Sequence, residues 1–106
     1  MDGTVLEYRT VFHGERAVVR LYGEIDMDSA PDLTTALALC LETRPHQVIV
    51  DLSGVAFCDC SGLDALLRAR DHAAVRGIPL TVTGVTAPVV VRLFALTGAD
   101  VALGAR

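Results

Sequence analysis

Asp51-Leu52-Ser53-Gly54-Val55-Ala56-Phe57-Cys58-Asp59-Cys60-Ser61-Gly62-Leu63 is the stretch on which the fold turns. It continues Gln47-Val48-Ile49-Val50, so that Gln47 to Leu52 is a near-continuous apolar run, as expected for a strand covered on both faces. Ser53 to Asp59 reads as the loop that leaves this strand. Leu63, Leu66, Leu67, Arg70 and Ala73/Ala74 then form one helical stripe, with Asp64 and Arg68 as an i, i+4 pair outside it. A helix start offers free backbone N–H groups and a partial positive charge. Such a corner accepts an anion, caps itself through Asp59 or Ser61, or receives a phosphoryl group. On residue chemistry alone, the plain helix cap and the recognition site both remain open.

Two strands precede this unit. Leu6, Tyr8 and Phe12 alternate with Glu7 and Arg9, and Val19 and Leu21 alternate with Val18, Arg20 and Tyr22. His13-Gly14-Glu15-Arg16 between them predicts a tight turn and an antiparallel hairpin. Gly23 to Asp26 reads as a short loop, after which Asp28 or Ser29 caps a helix with Pro31 in its first turn. Leu33, Ala36, Leu37, Cys40 and Leu41 form its apolar stripe. Beyond the central helix, Gly77 and Pro79 lead into the strand Leu80 to Thr83. Thr86 and Pro88 open a third helix that Gly98 closes, and Asp100 to Leu103 reads as a final short edge strand. The expectation is a single α/β domain over residues 1–106, with a mixed sheet, an N-terminal antiparallel hairpin and three main helices.

Composition narrows the function. The chain has 106 residues, 52% of them hydrophobic and 21% charged, which excludes disorder. A chain of this length buries roughly two-thirds of its extended surface and needs no disulfide or metal to hold a core. Its net charge of −4 and its 5% aromatic content argue against a nucleic-acid platform. Every basic residue is arginine, which points to GC-rich bacterial coding and removes any lysine-dependent phosphate loop. No apolar run approaches a membrane span, and Met1 to Thr4 lacks the layout of a signal peptide. A soluble, cytoplasmic chain without cofactor or membrane partner is expected. Cys40, Cys58 and Cys60 are an odd number, poorly suited to a disulfide framework, and with the scattered His13, His46 and His72 they lack zinc spacing.

Catalysis finds no support in the residues. G-x-S-x-G is absent around Ser61. His72 lies twelve residues beyond Cys60, which a helix turns into about 18 Å, too far for a triad. The pairs Asp26/Asp28 and Asp51/Asp59 do not declare an acid–base couple by their spacing.

Asp51-Leu52-Ser53 followed by Asp59-Cys60-Ser61-Gly62-Leu63, with Gly23-Glu24-Ile25-Asp26 before an earlier helix, resembles the STAS domain of bacterial anti-sigma-factor antagonists. The resemblance extends over essentially the whole chain. It implies a regulator without catalytic activity that works by partner switching. Such a protein binds an anti-sigma factor with a GHKL-type serine kinase fold and so releases a sigma factor; phosphorylation by that kinase ends the binding, and a PP2C-type phosphatase restores it. The family motif reads Asp-Ser-Ser/Thr-Gly, with the phosphorylated serine second, and here that position is Cys60. Three readings follow: an unswitchable binder, phosphorylation of the neighbouring Ser61, or redox control through Cys60 and Cys58, since a cysteine at a helix N-terminus has a lowered pKa. Cys58 also reads as a small buried hydrophobe. By the same resemblance the docking surface comprises Asp26, Met27, Asp28, Ser53, Asp59, Cys60, Ser61, Gly62 and Leu63. The rival function is a STAS scaffold or transporter-associated subunit, in a stressosome-like or lipid-transport assembly, without phospho-switching.

Overall fold

A computed structural model of the protein describes residues 6–105. Glu7–His13 (β1) and Arg16–Ile25 (β2) form the expected antiparallel hairpin, turned through Gly14 at φ 65°. Ala30–Glu42 (α1) then crosses to Gln47–Cys58 (β3), and Cys60–Val75 (α2) crosses to Leu80–Thr83 (β4). The sheet order is β1-β2-β3-β4, with β2, β3 and β4 mutually parallel. Right-handed crossovers between adjacent parallel strands place α1 and α2 on one face of this sheet, side by side. Pro88–Thr97 (α3) packs on β3, and the single-turn Ala99–Ala102 (α4) follows it.

The core is built by alternation. Ala17, Val19 and Leu21 of β2, Val48, Val50 and Leu52 of β3, and Leu80 and Val82 of β4 all point inward and are buried. The five predicted residues of the α1 stripe, Leu33, Ala36, Leu37, Cys40 and Leu41, are buried against them, and α3 adds Val90 and Phe94. Tyr8 and Phe12 share this face with their partners Leu21 and Ala17, yet stay about half exposed because β1 is the edge strand.

Five expectations are corrected. Ile49 and Asp51 are only half-buried, so β3 is covered fully on one face rather than two. The loops anticipated at Gly23–Asp26 and Ser53–Asp59 are instead, as far as Ile25 and Cys58, the far halves of β2 and β3. They pair through Tyr22–Gly54, Gly23–Val55, Glu24–Phe57 and Ile25–Cys58, with register shifts after Arg20 and after Gly23. Asp100 to Leu103 is not an edge strand: the positive φ of Gly98 restarts the chain as α4. A vestige of edge pairing persists where Val82 N–H donates to the Leu103 carbonyl at 3.0 Å. In α2, Ala74 is exposed and Arg70 half-buried, while Ala65 and Ala69 join Leu63, Leu66 and Ala73 in the core. The Asp64–Arg68 pair forms as expected, at 2.8 Å.

Candidate functional site

The parallel strands β2 and β3 end together, and each hands over to a helix at the same edge of the sheet. At the first handover, Asp26 Oδ1 accepts the amides of Asp28 and Ser29, both at 3.0 Å. Ser29 stands at the N-cap of α1, but its side chain caps nothing. Its Oγ instead accepts the Asp26 amide at 2.9 Å and donates to the Glu24 carbonyl at 3.0 Å, which ties the lead-in to β2. Ser29 is accordingly buried, whereas Met27, at the tip of the turn, is 72% exposed. Asp28 is exposed and Asp26 half-buried.

At the second handover, Asp59 is the N-cap of α2 and its Oδ1 accepts the Gly62 amide at 3.0 Å. The Asp59 amide donates to the Ile25 carbonyl, also at 3.0 Å, pinning this start to the end of β2. Gly62 presses so closely on β2 that a Cβ there would stand 2.5 Å from Ile25 Cγ2 and 2.9 Å from the Ile25 carbonyl. Asp59 is half-buried, Cys60 exposed and Ser61 half-buried.

The two handovers share a groove of about 320 Å³ between α1 and α2. Met27, Ala30 and Thr34 line one wall, and Ser61, Asp64 and Arg68 the other. The expected docking residues divide accordingly. Met27 and Ser61 line the groove, Asp26 and Asp28 flank Met27 in the turn before α1, and Asp59 and Cys60 precede Ser61 at the start of α2. Gly62 and Leu63, in the same turn of α2, are buried. Ser53 is exposed but lies six positions before Asp59 on an extended strand, about 20 Å away. Its amide donates to Asp51 Oδ1 at 2.9 Å, beside Gly84. Thr34, Asp64 and Arg68 join the groove without any local motif; parallel crossovers that bring the two helix starts together are the signal that finds them.

The cysteines separate by environment. Burial, then the charge of Asp59 and then that of Cys60, push the Cys58 thiol up to about 12. Its S–H donates to the Asp59 carbonyl at 3.4 Å, and at neutral pH it is a protonated packing group rather than a reactive thiolate. Cys40 is likewise buried, with its pKa raised by desolvation. Cys60 alone is exposed. His72 is exposed in the last turn of α2, remote from Cys60 and Ser61 at the start of that helix. No helix among the described residues is long and apolar enough to cross a membrane.

The comparisons with known proteins agree with this architecture. An anti-sigma factor antagonist from Mycobacterium paratuberculosis is similar at 27% identity and a TM-score of 0.81, over 94% of this chain and 84% of that one. The anti-sigma factor antagonist SpoIIAA in its unphosphorylated form shares the fold at 22% identity and a TM-score of 0.68, over 87% and 81% of the two chains. A sulfate transporter family protein from Wolinella succinogenes does so at 22% identity and a TM-score of 0.74, over 88% and 75%. The family described as "Mlab, STAS domain" matches residues 8–104. On that match, spanning nearly every described residue, the chain belongs to the STAS domain family.

Proposed function

We propose that this protein is an anti-sigma-factor antagonist that docks a GHKL-type serine kinase acting as anti-sigma factor, and so frees a sigma factor. The observation that carries this reading is the shared groove, in which Met27 and Ser61, far apart in sequence, line one surface at two helix starts. An exposed Met between two aspartates is an adaptable apolar anchor of the kind that docking surfaces use. The similarity to the mycobacterial antagonist supports the same reading. The protein acts here as a ligand, without a reaction of its own.

Cys60 occupies the position of the family's phosphoacceptor and has no hydroxyl to offer. The constitutive binder is therefore the primary form of the proposal. Ser61 is the neighbouring hydroxyl, and transfer of the ATP γ-phosphoryl to its Oγ, with release of ADP, would restore a switch beside Asp59 and Asp64 through like-charge repulsion. The test is incubation with a purified anti-sigma kinase that binds the protein, with ATP, followed by mass spectrometry. Tight binding without modification supports the constitutive form; phosphate on Ser61 assigns the switch to that residue. Cys60→Ser gains phosphorylation at position 60, and its failure to do so with a kinase that binds would overturn the placement of the motif. PP2C-type phosphatase treatment then removes any phosphate so placed.

A transporter-associated role is the second reading. It is favoured by the description of the matching family and by the fold shared with a sulfate transporter family protein. Co-purification with ABC-transporter subunits instead of a kinase selects it.

A further inference from the structure

A second cavity, of about 490 Å³, lies at the opposite end of the sheet, where β3 and β4 begin. It is bounded by Arg44, Pro45 and His46 from the α1–β3 connection and by Arg76, Gly77 and Ile78 from the α2–β4 connection. Its volume suits a small ligand. Pro45 and Ile78 are buried and form an apolar floor. Glu15 Oε1 lies 2.7 Å from His46 Nε2 and sets a carboxylate beside the cavity, whose own lining carries the positive charge of Arg44 and Arg76. Neither guanidinium has a carboxylate within ion-pair distance among the described residues, in a chain whose net charge is −4.

Arg44 is the one non-glycine residue with positive φ among the described residues, at 56°. Glycine fits that backbone without strain, and arginine there brings a charged fork to the cavity in its place. The two helix ends above it contribute on the order of −0.5 charge each, which two guanidiniums exceed. The backbone amides around the cavity are already engaged. Those of Arg44, His46, Arg76, Gly77 and Ile78 donate to Leu41, Glu15, Ala73, Ala74 and Ala73 carbonyls, respectively, and Pro45 has none. Recognition therefore falls to the arginine side chains, which are suited to bidentate contact with phosphate oxygens.

We infer that this cavity binds a phosphate-class anion, either free in solution or carried on a lipid headgroup. The inference is independent of the docking groove, which lies at the other end of the strands. The test is an NMR titration of the full chain with inorganic pyrophosphate at fixed ionic strength, beside Arg44→Gly/Arg76→Gln, a variant in which glycine fits the backbone at 44 and the core is untouched. Amide shifts confined to residues 44, 46 and 76–78, saturable and at least tenfold weaker in the variant, are expected. Flotation with phosphatidylglycerol or phosphatidylcholine vesicles separates the sources. Vesicle binding that needs phosphatidylglycerol and is lost in the variant assigns a headgroup, whereas pyrophosphate saturation without flotation assigns a soluble phosphate. Shifts equally produced by sodium chloride, equal binding by the variant, or no response in either arm overturn the inference.

Discussion

Gly62, in the first turn of α2, rests against Ile25 at the end of β2 with no room for a single added methyl group. An exposed helical glycine gains about 1 kcal/mol of stability on replacement by alanine. Here the new Cβ would meet Ile25 Cγ2 at 2.5 Å, the Ile25 carbonyl at 2.9 Å and Cys58 Sγ at 3.0 Å, two of them on the parallel neighbour. Overpacking outweighs propensity, and Gly62→Ala destabilises the protein by about 1–3 kcal/mol. Chemical denaturation measures this, and an unchanged or raised midpoint contradicts the contact.

Asp59 caps α2 through one hydrogen bond to the Gly62 amide. Asp59→Ala loses about 1 kcal/mol of stability, and Asp59→Asn, an equally good cap, retains most of it. If docking needs the carboxylate rather than the cap, Asp59→Asn folds normally and weakens kinase binding. Thermal melts beside a binding titration separate the two roles.

Met27 is so exposed that its removal leaves stability within about 0.5 kcal/mol of the parent. As an anchor of the docking surface, its replacement by aspartate weakens kinase affinity by about tenfold or more. Calorimetric titration of Met27→Asp reads the affinity, and full retention of binding removes the groove from the interface.

Cys58 makes stability fall in alkali. Its thiol ionises near 9.0 when unfolded and is pushed up to about 12 in the fold, chiefly by burial. Between those values the unfolded chain holds fewer protons than the native one. The stabilisation is whole below about pH 9 and declines toward pH 12, by at most about 1.4 kcal/mol per pH unit. Cys58→Ala gives a flatter alkaline limb in denaturation curves taken from pH 8 to 11. At pH 8 a thiol reagent labels one cysteine in the native protein, Cys60, and all three in denaturant.

The helices were legible because their stripes are long: Leu33, Ala36, Leu37, Cys40 and Leu41 declare a buried face with no other interpretation at that spacing. The far half of β3 was not, because Ser53-Gly54 carries the chemistry of a turn. What makes it a strand is its pairing with Tyr22 to Ile25, a tertiary fact invisible in a local window. Four residues at Ala99 to Ala102 are too few to separate a strand from a helical turn; the left-handed Gly98 decides it. The candidate site was legible as two motifs but not as a surface. Burial removes Gly62 and Leu63 from its face, and the extension of β3 carries Ser53 away.

Ile25 receives the Asp59 amide on its carbonyl, packs against Gly62, and is followed at once by the Asp26 turn. One residue is thus the keystone of both helix starts, and neither can shift without dragging the other. Docking then asks little reordering of this chain, so association should proceed as rigid-body capture, with any conformational adjustment falling on the partner.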